Sequence, residues 1–163
     1  MKRIFTGGLI LSICLLSSAC SFIVNFVVVN ESAAPIEMEY TLSLEDYAVL
    51  QQMEAPPAEN LMPAKMDLAA WEGKFKQEAW QIMSPDEYRF DAKTGKLKVK
   101  VAPGQAVKIL QTSSSVFFEG GDKRFQVKTL EISGESGKMF FEGLQLFKHF
   151  SEKDYSNRYI AYK

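Results

Sequence analysis

The segment Ile36–Leu44 restricts the fold of this chain more than any other stretch of its sequence. It reads IEMEYTLSL, and apolar and polar side chains alternate at every position. Because successive side chains of a β-strand point to opposite faces of the sheet, this pattern predicts a strand with one buried face. Such a strand needs hydrogen-bonded neighbours and a second layer over its apolar face, so the pattern excludes an all-helical fold.

A second alternating segment lies at Lys96–Val101, with the sequence KLKVKV. Its apolar residues are expected to face inward and its lysines outward. The segment YRFD and the turn-forming segment AKTG precede it, and Gly95 suits a left-handed turn position. Together these features predict a β-hairpin.

Further strands are predicted wherever β-branched and aromatic residues stand between turn signals. The first is SFIVNFVVVN, residues 21–30, expected to be buried and to pair with the strand at 36–44. The others are residues 106–110, 116–119, 125–132, 138–142 and 158–162. About eight strands in all favour an all-β fold, an antiparallel β-sandwich of immunoglobulin-like architecture, over a small barrel.

Residues 45–84 are expected to form an irregular or helical insertion in this sandwich. Pro56, Pro57 and Pro63 indicate an extended loop. In Asp67–Met83, apolar residues stand three and four positions apart, which predicts an amphipathic helix with Asp67 as its N-cap. Alternation through 75–82 leaves a strand as the competing interpretation. A helical turn is also expected within residues 144–150.

The N-terminus has the three parts of an export signal. Met1-Lys2-Arg3 is basic, residues 4–16 are almost wholly apolar, and residues 17–19 are small. This apolar run is shorter than the roughly 20 residues that cross a bilayer, so it indicates a removable signal peptide covering residues 1–19.

Cys20 follows this signal directly, and Leu16–Cys20 resembles the lipobox of bacterial lipoproteins. The resemblance implies cleavage before Cys20 and acylation of its thiol and of the new amine. The 144 residues that remain, 20–163, have the length of one domain, so a single lipid-anchored domain is expected. Ser17 stands where that family usually has a branched residue, with Leu16 one position earlier. Ser21, unlike an aspartate, would permit release to the periplasmic leaflet of the outer membrane if the organism is Gram-negative.

Other interpretations of this region stay open. Ser17 and Ala19 also satisfy the rule for ordinary signal cleavage, which would leave a soluble exported protein with a free thiol. Continued through Val29, the apolar run is long enough to span a membrane, although its β-branched residues favour a strand. A buried structural thiol at Cys20 is a further alternative.

Charge is distributed unevenly along the expected domain. Residues 20–92 contain 13 acidic and four basic residues, whereas residues 93–163 contain seven acidic and 13 basic ones. The two halves are therefore expected to attract each other through cross-strand ion pairs. The balance of −3 and the lack of a recognition motif argue against nucleic acid as a partner.

No motif predicts a reaction, a metal site or a cofactor. His149 is the only histidine, so a His- and Cys-rich metal site is not expected, and neither GxSxG, SxxK nor a Walker loop occurs. Paired carboxylates are the hardest chemistry to exclude from sequence, because their function depends on separation in space. The candidate pairs are Glu37 with Glu39, Glu45 with Asp46, and Asp86 with Glu87.

Lys96, Lys98 and Lys100, with Lys108 across the Pro103-Gly104 turn, form the clearest candidate contact surface. Outward lysines protect a strand from unwanted pairing, and they can meet Glu37 and Glu39 on a neighbouring strand. Functionally, they offer an electrostatic contact with anionic headgroups or an acidic partner.

These features favour a cell-envelope lipoprotein that acts as a non-catalytic binding or assembly module close to the membrane. The expected partners are the membrane, through the lipid anchor, and a protein of the envelope. The alternatives are a small envelope hydrolase that uses paired carboxylates and a structural subunit of an envelope complex.

Overall fold

The computed structural model describes residues 22–43, 62–72, 80–91, 93–113, 126–143 and 146–163. These residues form two β-sheets with very little helix. The strands are β1 (Ile23–Asn30), β2 (Ile36–Leu42), β3 (Ala64–Asp67), β4 (Gln81–Ile82), β5 (Tyr88–Asp91), β6 (Lys96–Val101), β7 (Gln105–Ser113), β8 (Val127–Gly134), β9 (Gly137–Glu142), β10 (Ser151–Asp154) and β11 (Asn157–Tyr162). The helical elements are α1 (Leu68–Glu72) and a 3₁₀-helix (Leu146–His149).

The larger sheet has the strand order β10-β11-β1-β7-β3-β4, and the smaller sheet has the order β5-β6-β2-β8-β9. The predicted fold class, an all-β sandwich, is confirmed, and the two sheets do not join into a barrel. All neighbouring strands described here are antiparallel except one pair, because β1 runs parallel to β11.

The core lies between the sheets and follows the alternation of the sequence. The apolar residues of β2 are buried, and β6 alternates exposed lysines with Leu97, Val99 and Val101, which are all at most 3% exposed. From the larger sheet, Phe26 packs edge-to-face on Phe150, with ring centroids 5.1 Å apart. Burial of this apolar surface is the main source of stability, since no disulfide is described.

A second, smaller core covers the outer face of the larger sheet. Its buried members are Val27, Val29, Met66, Trp71 and Ala106. Helix α1 supplies Trp71, whose ring lies 6.1 Å from Trp80 and 6.2 Å from Tyr159 between centroids. As a result, both faces of β1 are buried, and this explains why its sequence is almost continuously apolar.

The strand pairing differs from the sequence predictions in three places. β1 does not pair with β2, because the two strands lie in different sheets. The sandwich is not antiparallel throughout, since β1 and β11 are parallel. The segment 45–84 is not simply an irregular or helical insertion, because β3 and β4 within it add two strands to the larger sheet.

The helix predicted at Asp67–Met83 is described only at Leu68–Glu72, and residues near its predicted end form a strand, as the competing interpretation of 75–82 expected. Its described part ends at Glu72, and Gln81–Ile82, which were assigned to its end, form β4. Asp67 is the last residue of β3, directly before α1. Three parts of the predictions lie outside the described residues: residues 73–79, the strand predicted at 116–119, and Leu44. The helical turn expected near 144–150 is confirmed as the 3₁₀-helix.

The hairpin β5–β6 is confirmed, and its turn depends on Gly95. This glycine has a φ of 67°, a left-handed conformation that side chains with a Cβ rarely adopt. Its amide donates a hydrogen bond to the Asp91 carbonyl, and its own carbonyl accepts one from the Leu42 amide. The turn therefore also connects β6 to the end of β2.

Tyr40 provides a test of how the core is packed. Its side chain is fully buried, burial raises the pKa of its phenol, and its hydroxyl has no hydrogen-bond partner in the described part of the chain. Since an unpaired buried hydroxyl destabilises the folded state, Tyr40→Phe should leave the free energy of unfolding unchanged or raise it by up to about 2 kcal/mol. Tyr40→Ala should lower it by about 3–5 kcal/mol, because it opens a cavity.

Urea denaturation followed by tryptophan fluorescence measures both values. A loss of stability of more than about 1 kcal/mol in Tyr40→Phe would mean that the hydroxyl has a hydrogen-bond partner in solution.

Candidate functional site

The outward side chains of the smaller sheet form a charged face. Lys96, Lys98 and Lys100 lie on β6, and the register places Glu39 opposite Lys98 and Glu37 opposite Lys100. β8 contributes Glu131, opposite Glu39 on the other side of β2. We call this surface the charged face.

Glu39 is the centre of the charged face. Its two carboxylate oxygens accept from Lys96 Nζ and Lys98 Nζ, each at 2.7 Å. These hydrogen bonds hold the pKa of Glu39 below its ordinary value and raise the pKa of Lys98. The sequence prediction that lysines of this strand would meet an acid of β2 is therefore confirmed for Lys96 and Lys98.

Lys100 differs from its two neighbours on the strand. Neither Lys100 nor the opposite Glu37 forms an ion pair with any residue in the described ranges. On the far side of β2, Glu131 pairs with Lys138 of β9 at 2.8 Å. The face thus combines lysines that are ion-paired, two of which share the single carboxylate of Glu39, with Lys100 and Arg89, which form no ion pair with a described residue.

A groove of about 470 Å³ lies over the charged face. Its lining alternates acids with bases and is completed by the chain that leads into β5. The lining residues are Glu37, Met38, Glu39, Asp86, Glu87, Tyr88, Arg89, Lys98, Val99, Lys100, Glu131 and Ser133. Five acidic and three basic side chains line it, so the groove as a whole has no excess of positive charge.

At the rim of the groove, Glu87 connects the two sheets. It pairs with Lys65 of β3, a strand of the larger sheet, and accepts from the amide and hydroxyl of Ser84, each at 3.0 Å. The Lys65 ammonium and then the Ser84 amide lower the pKa of Glu87 to about 2. The carboxylate is therefore already occupied by donors from its own protein.

Lys108 does not belong to the charged face, and its predicted grouping with Lys96, Lys98 and Lys100 is wrong. It lies on β7 in the larger sheet and is only 8% exposed. Its ammonium donates to Gln111 Oε1 at 2.8 Å and lies 5.5 Å from the centroid of the Trp80 ring. Burial lowers the pKa of Lys108, and the position of its ammonium over the Trp80 ring makes it a cation–π partner at the edge of the second core.

Two of the three candidate carboxylate pairs lie within the described residues, and each contains one carboxylate whose pKa is lowered. A general acid of a glycosidase needs a raised pKa, whereas Glu39 and Glu87 both have lowered ones. Glu45 and Asp46 lie outside the described residues. His149 packs on Phe141, with ring centroids 4.9 Å apart, and the described residues contain no group of three His, Cys, Asp or Glu side chains that could hold a metal ion.

Cys20 lies outside the described residues, and its acylation stays a prediction. The structure begins at Phe22, and the apolar run that follows forms β1. Residues 23–30 are therefore not part of a membrane-spanning helix. Within the described ranges, no helix has the length and apolar character needed to cross a bilayer.

Sequence reasoning missed the groove because its walls come from four strands and one connection. Asp86, Arg89 and Glu131 carry no motif, and only the register of β5, β6, β2 and β8 brings them together. Comparison with known proteins gives no further guide, since no protein-family model, no curated protein and no solved structure matches this chain.

The role of Glu39 can be tested by removing its charge. Glu39→Gln should free Lys96 and Lys98, leaving three adjacent cations on β6, and the variant should elute from a cation-exchange column at clearly higher salt than the wild type. Glu135→Gln is the matched control, because it has the same net charge and Glu135 is an exposed turn residue that forms no ion pair with a described residue. Equal elution of the two variants would contradict the proposed neutralisation of the lysines.

Proposed function

We propose that this chain is a cell-envelope lipoprotein, anchored through Cys20, whose β-sandwich is a non-catalytic binding or assembly module held at the membrane surface. The observation that carries the proposal is the short distance between the candidate anchor and the fold. Phe22 is the first described residue, and β1 begins at Ile23 in the middle of the larger sheet.

This distance limits where an anchored domain can be. Two residues of extended chain span about 7 Å, so the Cα atom of Cys20 lies within that distance of the Cα atom of Phe22. A domain acylated at Cys20 would therefore contact or nearly contact the lipid surface, because no flexible tether separates them. The three acyl chains expected from the lipoprotein resemblance would make this attachment essentially permanent.

The charged face supports the binding part of the proposal. It is a concave surface formed by regular strands, and rigid strands position side chains better than loops do. Its internal ion pairs leave Lys100 and Arg89 at the groove without an ion-paired carboxylate among the described residues. A partner segment that brings one or two carboxylates would complete these pairs.

The anchor can be tested by mass. The protein purified from bacterial membranes should have a mass that begins at Cys20 and includes three acyl chains, and it should partition into the detergent phase. Cys20→Ala should lose both properties, whereas Cys14→Ala should keep them, because Cys14 lies within the predicted signal. An unacylated wild type in the soluble fraction would contradict the lipoprotein proposal.

The binding face can be tested with a photo-crosslinking amino acid in intact cells. Placed at Lys100, in the groove, it should give a discrete crosslinked product that is lost in Cys20→Ala. The same amino acid placed at Gln81, an exposed position on the larger sheet, should not give this product. Equal products from both positions would contradict a specific role of the charged face.

A further inference from the structure

Two exposed apolar side chains of the described residues lie close together at one end of the sandwich, whereas Ile82 and Phe140 lie on β4 and β9. Four large apolar or aromatic residues are strongly exposed, and two of them, Ile23 at 40% and Tyr155 at 74%, lie at the end where β1 begins. The Phe22 ring packs edge-on against the Tyr155 ring, with centroids 6.1 Å apart. We call Phe22, Ile23 and Tyr155 the aromatic tip.

The turn that carries Tyr155 is held by its own hydrogen bonds. The Asp154 carboxylate accepts from the Ser156 amide at 2.8 Å and from Asn157 Nδ2 at 3.0 Å. The Ser156 carbonyl accepts from the Asn25 amide at 2.8 Å, which fixes the turn to β1. These bonds fix the backbone of the turn, and the Tyr155 side chain projects from it into solvent.

The aromatic tip lies where an anchored chain meets the bilayer. Cys20 is two residues from Phe22, within about 7 Å, and the polar interfacial layer on each side of the hydrocarbon core is about 5–7 Å thick. Acyl chains on Cys20 would thus bring Phe22 and Ile23 to the headgroup level. This step rests on the lipid anchor of the proposed function.

The chemistry of the tip fits lipid better than protein. Tyrosine is enriched at membrane interfaces because its ring is apolar while its hydroxyl remains hydrated. Three side chains also offer far less than the roughly 800 Å² per partner that a stable protein interface buries. A lipid surface needs no such area, because the anchor already holds the domain there.

We infer that the aromatic tip inserts into the interfacial layer of the bilayer and thereby orients the domain, with the opposite end of β1 directed away from the membrane. The lipid on Cys20 keeps the domain at the surface. The rings of the tip determine which end of the sandwich faces the lipid.

The test uses the acylated protein in vesicles of phosphatidylethanolamine and phosphatidylglycerol. A mature chain acylated at Cys20 has no other thiol, so a cysteine placed at Ser156 takes up a single nitroxide label and leaves Tyr155 intact. Power saturation should show that this label is several-fold more accessible to oxygen, relative to a water-soluble nickel complex, than a label at Glu135. Glu135 lies in the β8–β9 turn, away from the aromatic tip. Two residues further along, the carbonyl of Gly137 accepts a hydrogen bond from the Tyr162 hydroxyl at the end of β11.

A second variant isolates the role of the ring. Tyr155→Ser, combined with the label at position 156, should lower that accessibility ratio markedly while the acylated mass stays the same. Equal ratios at positions 156 and 135, or no effect of Tyr155→Ser, would overturn the inference and leave the anchor standing. A mass without acyl chains would instead refute the proposed function, and these two failures are therefore separate results.

Discussion

The structure depends on the burial of both faces of β1. This strand lies in the middle of the larger sheet, parallel to β11 on one side and antiparallel to β7 on the other. Val24, Phe26 and Val28 enter the main core, while Val27 and Val29 enter the second core. A strand of this kind cannot form the surface of a two-layer sandwich, so the chain must provide a third layer. Helix α1, with Trp71, supplies this layer. The Lys108 ammonium lies 5.5 Å from the centroid of the Trp80 ring, and the Lys153 ammonium lies 4.0 Å from that of the Trp71 ring.

Local sequence predicted those features that depend on local alternation. In β2 and β6, the predicted side chains face the core. The sequence alternates over nine residues at 36–44 and over six at 96–101, and only one arrangement of each strand buries its apolar residues. β3 was missed, and β4 was covered only by the competing strand interpretation of 75–82, because four and two residues are too short to show a period. The pairing of β3 with β7 and of β4 with β3 is set by the whole sheet. The parallel pairing of β1 with β11 places Asn25 opposite Asn157. These residues are far apart in the sequence, and no local sequence pattern predicts such a pairing.

The candidate site was predictable in part for the same reason. Lys96 and Lys98 pair with an acid of β2 because the alternation of β6 fixes the face of the sheet on which they lie. On the same face, β2 carries only acidic and hydroxyl side chains. Lys108 was misplaced because the Pro103-Gly104 turn leads from the smaller sheet into the larger one instead of forming a hairpin within one sheet. A register shift then brings Phe26 opposite Leu110 and Val27 opposite Lys108, so that Ile109 and Leu110 both enter the main core. Alternation through a bulge cannot be read from sequence alone.

The orientation of β6 bears on what the lysines of the charged face contact. Val101, the last residue of β6, lies near Asn30 at the end of β1, because its carbonyl accepts from Asn30 Nδ2 at 3.0 Å. Lys96, the first residue of β6, therefore lies nearer the aromatic tip, where β1 begins. In the orientation that we infer, the strands run away from the bilayer, and β1 alone spans about 25 Å. Lys96 and Lys98, the lysines closest to the lipid, share the carboxylate of Glu39, whereas Lys100 is the farthest and has no ion-paired carboxylate among the described residues. Attraction to anionic headgroups falls off within about 8–10 Å, so this orientation argues against a contact of Lys100 with lipid and leaves the acidic partner segment that we propose as its contact.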